Sequence, residues 1–348
     1  MFIPLAKGGN MRTDEGEACV GQATRELTVQ RQLSPTQKRE KFRELLARDE
    51  MLVMPGGCSP LYAKMAESAG FEAFFVAGSQ LSAFLYGVPD VGLIGMRDMS
   101  AHVGQITRAT PIPLLVDGDT GYGNAVGVHY AVDEFIAAGA AGVQFEDQEA
   151  PKKSGTGAGR RCVPVAEAVG KIRAAVAARD ATDPDFVICA RCDAIGAEGG
   201  SFDEAVERCT AYLTDGGADL VWLNSPESLE QIRHACEVIP GPVLTTWAQP
   251  GPTPTLEEFA DLGLKVILFP VVASTAGAAA SWHVLHALRE RGTAALDDWA
   301  SWTSAHGWTR STLGNLTGLP AIRAIEENFL PPEAQRDYSA TYGPMSRS

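Results

Sequence analysis

The strongest constraint on the fold of this 348-residue chain is a pattern that occurs eight times. A short apolar run is followed by a polar or glycine-rich loop and then by a segment with the period of an amphipathic helix. The apolar runs are residues 52–54, 73–76, 114–116, 142–145, 186–190, 220–223, 243–246 and 266–269. Buried parallel strands appear as continuous apolar runs, and each right-handed crossover between them needs a helix. The pattern therefore predicts an α/β chain folded as a (β/α)8 barrel of the TIM type.

The segments between these runs support the same prediction. Helices are predicted at 61–69, 126–138, 165–178, 203–214 and 229–238, and several are followed by glycines that can adopt the left-handed C-cap conformation. A doubly wound open sheet is the alternative fold. Such a sheet would carry a glycine-rich dinucleotide-binding turn after its first strand, and the PGGCSP sequence of residues 55–60 is not one.

The chain divides into three predicted regions. Residues 1–33 have no clean period and are predicted to be a poorly ordered leader. Residues 34–291 hold the barrel, which a charged helix introduces at Ser34 and Pro35. Residues 292–348 are predicted to form a C-terminal helical extension with a last helix at 321–329.

Composition excludes several classes of function. The formal net charge of -14 repels phosphate backbones and anionic lipid, so neither nucleic acid nor membrane is an expected partner. The apolar stretch 266–288 contains proline, serine and histidine, and a strand followed by a helix explains it better than a membrane span. Seven scattered cysteines and no apolar signal segment predict a cytoplasmic protein with free thiols.

The pair Cys189 and Cys192 has the C-x-x-C spacing of redox and zinc sites. It lies inside an apolar run that is predicted to be a strand. Residues three apart on a strand point to opposite faces. We therefore expect no shared chemistry for this pair.

Carboxylates follow several of the predicted strands. In barrels of this type the chemistry lies at the carboxyl ends of the strands. Asp117 and Asp119 follow the third strand and Glu146 follows the fourth. Hard oxygen donors that converge in this way suit Mg²⁺, with Mn²⁺ as a substitute. The alternative is that these carboxylates cap helices or pair with arginines.

Arg191, after the fifth strand, is the predicted anion anchor, because its planar fork matches a carboxylate or an enolate oxygen. The alternative is an ion pair with Glu146 or Asp193. Gly78 and Ser79, after the second strand, lie where backbone N–H groups could face a developing oxyanion.

These residues resemble a known signature. Residues 116–124 read VDGDTGYGN, which resembles the D-x-D-x-G-[YF]-G motif of the isocitrate lyase / phosphoenolpyruvate mutase superfamily. The resemblance continues through GVPD at 87–90, EDQ at 146–148 and ARCDA at 190–194, and it covers about residues 40–290. It is strongest to the branch of methylisocitrate lyase, dimethylmalate lyase and carboxyphosphoenolpyruvate mutase.

The resemblance implies a (β/α)8 barrel, with the last helix swapped between the subunits of a homodimer or homotetramer. It implies Mg²⁺ at the Asp117 position, with Asp90, Asp119 and Glu146 joining directly or through water. It also implies small 2-oxo or 2-hydroxy carboxylate substrates. An enolate would be held by the metal, by Arg191 and by the backbone N–H groups of Gly78 and Ser79.

The chain departs from the superfamily's lyases at the groups that move protons. Their catalytic loop reads K-[KR]-C-G-H, and here Ser154 follows Lys152 and Lys153 where the cysteine would be. A serine hydroxyl is a far poorer acid than a thiol with a pKa of about 8.5. Four further positions also differ from the superfamily's usual residues, namely Phe75, Ala77, Asn224 and Thr246.

The sequence therefore predicts a Mg²⁺-dependent carbon–carbon lyase for a small 2-oxo or 2-hydroxy di- or tricarboxylate. Lys152 and Ser154 are the predicted pair for moving protons or contacting substrate, with Lys153, Tyr122 and Cys162 as further candidates. Substrate contacts are also predicted for Gly78, Ser79, Asp90, Tyr122, Asn224 and Thr246. The glycine-rich residues 154–159 are predicted to form a mobile lid, and a plain surface turn is the alternative.

Two other functions are compatible with these residues. One is carbon–phosphorus chemistry, as phosphonopyruvate hydrolysis or phosphoryl migration, which does not need the loop cysteine. The other is a non-catalytic protein that binds a dicarboxylate. Retention of every carboxylate of the metal site argues against the second.

Overall fold

A computed structural model describes residues 33–309, 311–336 and 338 of the chain. The chain divides into two compact units. The first is Gln32–Ala287, and the second begins at Leu288. The leader predicted at residues 1–33 lies, except for residue 33, outside the described residues.

Eight parallel strands close into a barrel in the order in which they occur along the chain, so the predicted (β/α)8 fold is confirmed and the open sheet is wrong. Each strand pairs with its neighbour in sequence, and β1 pairs with β8. The strands are β1 Leu52–Gly57, β2 Phe74–Val76, β3 Leu114–Asp117, β4 Gly142–Glu146, β5 Val187–Cys192, β6 Leu220–Leu223, β7 Val243–Thr245 and β8 Val266–Phe269.

Helices connect the strands and surround the barrel. They are α1 Pro35–Ala47, α2 Pro60–Ser68, α3 Gly78–Leu81, α4 Met96–Ala109, α5 Ala125–Ala138, α6 Val165–Thr182, α7 Phe202–Thr214, α8 Leu229–Val238, α9 Leu256–Ala260 and α10 Val272–Arg291. A π-helical turn, Ser82–Tyr86, follows α3. Six of these ten helices begin at a serine, threonine or asparagine whose side chain accepts a backbone N–H, which explains where the chain leaves the loop before each of the six.

Side chains alternate along each strand between the barrel interior and the layer under the helices. The interior is filled by residues such as Leu115, Val187, Leu220 and Leu244. The outer layer contains Val116, Ile188 and Val221 together with the apolar faces of the helices. Cys189 belongs to the interior and Cys192 to the outer layer, so the two thiols point away from each other as expected.

Helix α1 closes the amino-terminal end of the barrel. Its Phe42 and Leu45 are buried in the interior cluster with the first residues of several strands. Ser34 caps the helix, and a capping box with Gln37 fixes its start. Since this end is sealed, the carboxyl ends of the strands are left to form the site.

The second unit continues from α10 with α11 Ala294–Ala305, α12 Thr312–Leu316 and α13 Leu319–Phe329, followed by a 3-10 turn at Pro332–Ala334. The predicted last helix at 321–329 lies within α13. A swap of the last helix between subunits and the oligomeric state remain predictions. No helix in the described part of the chain has both the length and the apolar character that crossing a membrane requires.

Candidate active site

The polar side chains of the site come from adjacent strands whose register sets them beside one another. Asp117 on β3 lies opposite Gln144 on β4, and Glu146 on β4 lies opposite Arg191 on β5. All four are buried at the carboxyl-terminal end of the barrel. The spacing of two between Gln144 and Glu146 sends both side chains to the same face of the strand.

Asp117 is held by three donors. Gly78 and Asp119 each donate a backbone N–H to it at 3.0 Å, and Gln144 Nε2 donates a third hydrogen bond. Burial opposes the charge of Asp117, but Lys152, Arg191 and these N–H groups outweigh burial and lower its pKa. Asp117 is therefore an oriented carboxylate that stays ionised.

Gly78 was predicted to donate its N–H to an oxyanion, but this N–H already donates to Asp117 Oδ2. A Cβ at this position would lie 2.9 Å from the same oxygen. Gly78 therefore allows the backbone to approach the carboxylate closely. Ser79, the other predicted donor, lines the cavity described below.

Lys152 inserts its ammonium group among three carboxylates. Nζ lies 3.0 Å from Asp90 Oδ1 and 3.7 Å from Glu146 Oε1, and it also contacts Asp119. Burial disfavours the charged amine, but these carboxylates and Asp117 reverse that effect and raise the pKa of Lys152. The lysine thus remains a cation within the cluster.

Arg191 is fixed on both edges and on one face. Its Nη2 donates to Asp193 Oδ1 at 3.0 Å, and its Nη1 lies 3.2 Å from Glu146 Oε2. The guanidinium stands 4.5 Å from the ring centroid of Trp222. The ion pairs that were the alternative for Arg191 are therefore present. The guanidinium also lines the cavity, so both interpretations apply to one side chain.

A cavity of about 230 Å³ opens at this end of the barrel. Its lining is drawn from several strand ends and from the lid, residues 154–159. The lining residues are Phe75, Ala77, Ser79, Asp90, Asp117, Lys152, Ser154, Gly155, Thr156, Arg191, Trp222, Asn224, Thr246, Trp247, Ala248, Pro270 and Val271.

Most of the predicted site residues thus lie together, but Gly78, Asp119, Glu146 and Tyr122 do not line this cavity. Asp119 and Glu146 lie behind it and contact the lining residue Lys152. Tyr122 packs against Phe135 of α5, with 6.4 Å between the ring centroids, so it is removed from its predicted substrate contact. Burial together with the charges of Asp119 and Asp117 raises the pKa of Tyr122 further above its usual range.

Cys162 also lies away from the cavity. Its thiol faces Asp147 Oδ1 at 3.5 Å, and burial, with Asp147 next in importance, raises its pKa. A partly buried thiol of raised pKa beside a carboxylate is not an available proton donor. The candidate role of Cys162 as a replacement for the loop cysteine is therefore not supported by its position.

The residues fit a magnesium ion that keeps most of its waters. Neither carboxylate oxygen of Glu146 accepts a hydrogen bond from the described residues, although both are buried. In the described part of the chain no three His, Cys, Asp or Glu side chains are arranged as direct ligands of one ion. Mg²⁺ commonly uses one or two carboxylates and holds the others through water. Asp117 suits direct contact, and Asp90, Asp119 and Glu146 suit the outer positions.

Most of the residues that orient this site were not predicted from the sequence, and Asp193 was named only as an alternative partner of Arg191. Asp193 is fully buried and holds Arg191, and Gln148 Nε2 donates to Asp193 Oδ2 at 2.6 Å. Gln144 orients Asp117 by donating a hydrogen bond to it, and Trp222 orients Arg191 by packing its ring against the guanidinium. The available signal was a glutamine inside an otherwise apolar strand, since a buried amide needs partners.

The comparisons with known proteins agree with this architecture. A sequence model of the phosphoenolpyruvate phosphomutase family matches residues 42–289. A 2,3-dimethylmalate lyase of Eubacterium barkeri is 39% identical over 291 residues, which is 83% of this chain and 97% of the relative.

Solved structures extend the likeness. An oxaloacetate acetylhydrolase bound to the inhibitor 3,3-difluorooxalacetate has a TM-score of 0.76 at 32% identity, covering 85% of this chain and 98% of that one. A phosphonopyruvate hydrolase in complex with oxalate and Mg²⁺ has a TM-score of 0.72 at 32% identity, covering 84% and 99%. The likeness therefore extends over the whole barrel, in proteins of more than one activity.

Proposed function

This chain belongs to the phosphoenolpyruvate mutase and isocitrate lyase superfamily, and we propose that it is a Mg²⁺-dependent carbon–carbon lyase acting on a small 2-oxo or 2-hydroxy carboxylic acid. The observation that carries the proposal is that Asp117 and Arg191 line one cavity. A carboxylate kept ionised and an oriented guanidinium are the two groups that binding a metal and an oxyanion require.

Arg191 is the group that binds the developing negative charge. Asp193 and Glu146 hold its guanidinium in one orientation before any ligand arrives, so little reorganisation is needed when the charge forms. In a 2-hydroxy acid the hydroxyl proton passes to water as the C2–C3 bond breaks, so that C2 becomes a carbonyl carbon and the electron pair of the bond stays on C3 as an enolate. In a 2-oxo acid with a second carboxylate at C4 the C3–C4 bond breaks instead, CO2 leaves, and the electron pair stays on C3 as the enolate. When bound, Mg²⁺ supplies further positive charge that stabilises oxygen anions.

The enolate then needs a proton. Ser154, which replaces the loop cysteine of the superfamily's lyases, and the neighbouring Lys152 are the candidate groups. Ser154 lines the cavity and offers a hydroxyl. Lys152 is a buried cation, and its ammonium can hold a water or the Ser154 hydroxyl in the orientation that donates. The same lid excludes bulk water while it covers the site.

The charges of the lining favour a dicarboxylate over a tricarboxylate. Lys152 and Arg191 are the two cations among the described residues that line the cavity. The remaining wall is formed mainly by Phe75, Trp222 and Val271 with their apolar neighbours. A third carboxylate would lose water there without gaining a cationic partner, which is costly. We therefore propose a substrate with two carboxylates and an uncharged substituent.

An NMR product screen tests the function. The protein with Mg²⁺ is incubated with oxaloacetate, 2,3-dimethylmalate, 2-methylisocitrate and phosphonopyruvate. We expect a keto acid product from one of the dicarboxylates, and no product from Asp117→Ala. Asp203→Ala, which removes an exposed carboxylate on α7, is the matched control and should retain turnover. Turnover by Asp117→Ala that equals that of the unmodified protein would overturn the metal assignment.

Phosphonopyruvate hydrolysis is the second candidate. Two observations favour it, namely Ser154 in place of the loop cysteine and the likeness to a phosphonopyruvate hydrolase structure at 32% identity. The screen separates the candidates, because phosphate release from phosphonopyruvate without cleavage of the dicarboxylates would select this one. Ligand binding without turnover of any of the four acids would instead indicate a non-catalytic member.

A further inference from the structure

Asn224, at the end of β6, was predicted to contact substrate, but its amide is used differently. Nδ2 donates to the backbone carbonyl of Gly155 in the lid at 2.8 Å and also donates to Asp193 Oδ1. Asn224 is buried, so both acceptors depend on protein donors. One amide group therefore joins the lid to the carboxylate that orients Arg191.

The Gly155 carbonyl receives two further donors. Ser225 Oγ approaches it at 3.3 Å, and Arg160 Nη1 also donates to it. Ser225 has a φ of 60°, a left-handed conformation that a serine adopts at a cost. Arg160 is buried and additionally donates to the Ile195 carbonyl at 2.7 Å, which ties the far end of the lid to the loop after β5.

The lid at Gly155 lies directly on the anion anchor. A Cβ built on Gly155 would stand 2.0 Å from Arg191 Nη2. Such a distance is incompatible with a side chain at this position unless the lid or the guanidinium moves. The lid therefore seats over Arg191 only because residue 155 is a glycine.

We infer that Asn224 and Ser225 are positioning residues that latch the lid closed through the Gly155 carbonyl and couple its closure to the orientation of Arg191. The latch is specific to the amide, because a carboxylate at position 224 would face two acceptors, Gly155 O and Asp193 Oδ1, with no proton to donate. The inference rests on the proposed function only for its consequence in turnover; the latch itself is a property of the ligand-free protein.

Limited digestion with trypsin tests the latch without a substrate. Trypsin cleaves after lysine and arginine, so the bonds that report on the lid are Lys153–Ser154 and Arg160–Arg161 at its two ends. Arg160 is buried whereas Lys153 is exposed, so opening of the lid should above all speed cleavage after Arg160. Asn224→Asp replaces the donor with an isosteric acceptor. We expect lid cleavage, meaning cleavage of these two bonds, to become about tenfold faster, as the loss of a buried hydrogen bond implies, with an unchanged circular dichroism spectrum.

The control is Asn124→Asp, the same chemical change at an exposed N-cap. Asn124 accepts the Val126 N–H through Oδ1, a role that aspartate also fills, so lid cleavage should not change. Gly155→Ala is the second variant. It keeps every latch donor but prevents the lid from seating on Arg191, and it should reproduce the faster cleavage.

Activity supplies the second readout. Asn224→Asp and Gly155→Ala should each lower kcat/KM. Neither should change the affinity for Mg²⁺, because neither residue contacts Asp117. Lid cleavage at the native rate in folded Asn224→Asp and Gly155→Ala would overturn the latch. Failure of the proposed function is distinguishable, because it would remove turnover from every form of the protein and leave the digestion result intact.

Discussion

Arg191 is held by its neighbours before any ligand arrives. Asp193 binds two of its nitrogens at 3.0 to 3.2 Å, Glu146 pairs with the third, and Trp222 covers one face. Such a side chain is costly to bury and is retained where a fixed planar donor is needed. For this single residue, we therefore attribute the proposed specificity for an oxyanion to the planar guanidinium with its paired N–H donors.

Arg191→Lys keeps the positive charge but loses the fork. We predict a fall in kcat/KM of about 100-fold, because at least one charge-assisted hydrogen bond to the enolate is lost. Steady-state kinetics on the substrate that the product screen identifies provide the measurement. Arg161→Lys, at an exposed surface pair with Glu198, is the control and should change kcat/KM by less than about twofold. Equal kinetics for both variants would contradict the role of Arg191.

At the scale of elements, the apolar runs were sufficient to predict all eight strands, because a buried parallel strand leaves a continuous apolar segment. The ends of β3, β4 and β5 also indicated Asp117, Glu146 and Arg191. Asp193 was anticipated only as an alternative ion-pair partner of Arg191, and the role of Asn224 in contacting Asp193 was not predictable. The contacts of Asn224 with Asp193 and with Gly155 join residues 31 and 69 apart in the chain, and a period within one segment carries no information about such pairs.

Helix α1 offers an element-scale prediction that depends on pH. Its Lys38 is buried and donates to the carbonyls of Thr107 and Thr110 beside the end of α4. Burial lowers the pKa of Lys38 from 10.5 to about 8, partly opposed by Glu67. Between these two values the unfolded chain binds more protons than the folded protein, so the contribution of Lys38 to the free energy of unfolding increases with pH.

Urea unfolding of the native protein and of Lys38→Met, at pH values below and above this window, isolates that contribution. The free energy of unfolding of the native protein, relative to the variant, should be larger at the higher pH. The comparison with the variant removes the contribution of other titrating groups. The difference in the free energy of unfolding between the two proteins could instead be the same at both pH values, or smaller at the higher one. Either result would show that burial does not disfavour the charged form of Lys38.

On the scale of the whole molecule, the formal charge of -14 opposes the approach of an anionic substrate. Recognition of a carboxylate must therefore come from charges gathered locally. Helix α1 closes the amino-terminal end of the barrel. The three cations Lys152, Arg160 and Arg191 lie at the other end, and each is paired with a buried carboxylate. The position of the site follows from the fold, whereas the proposed affinity for anions follows from a few residues on a strand end and on the loops.

Calorimetric binding of oxalate, with and without Mg²⁺, is a direct test of the proposed enolate site, because oxalate is a planar dianion that resembles an enolate. It requires no knowledge of the substrate. We predict binding of oxalate to the native protein in Mg²⁺, at least about tenfold weaker binding in EDTA, and none to Asp117→Asn, because the metal and Arg191 must act together. Oxalate binding of equal affinity in EDTA, or no binding in Mg²⁺, would contradict a metal-dependent enolate site.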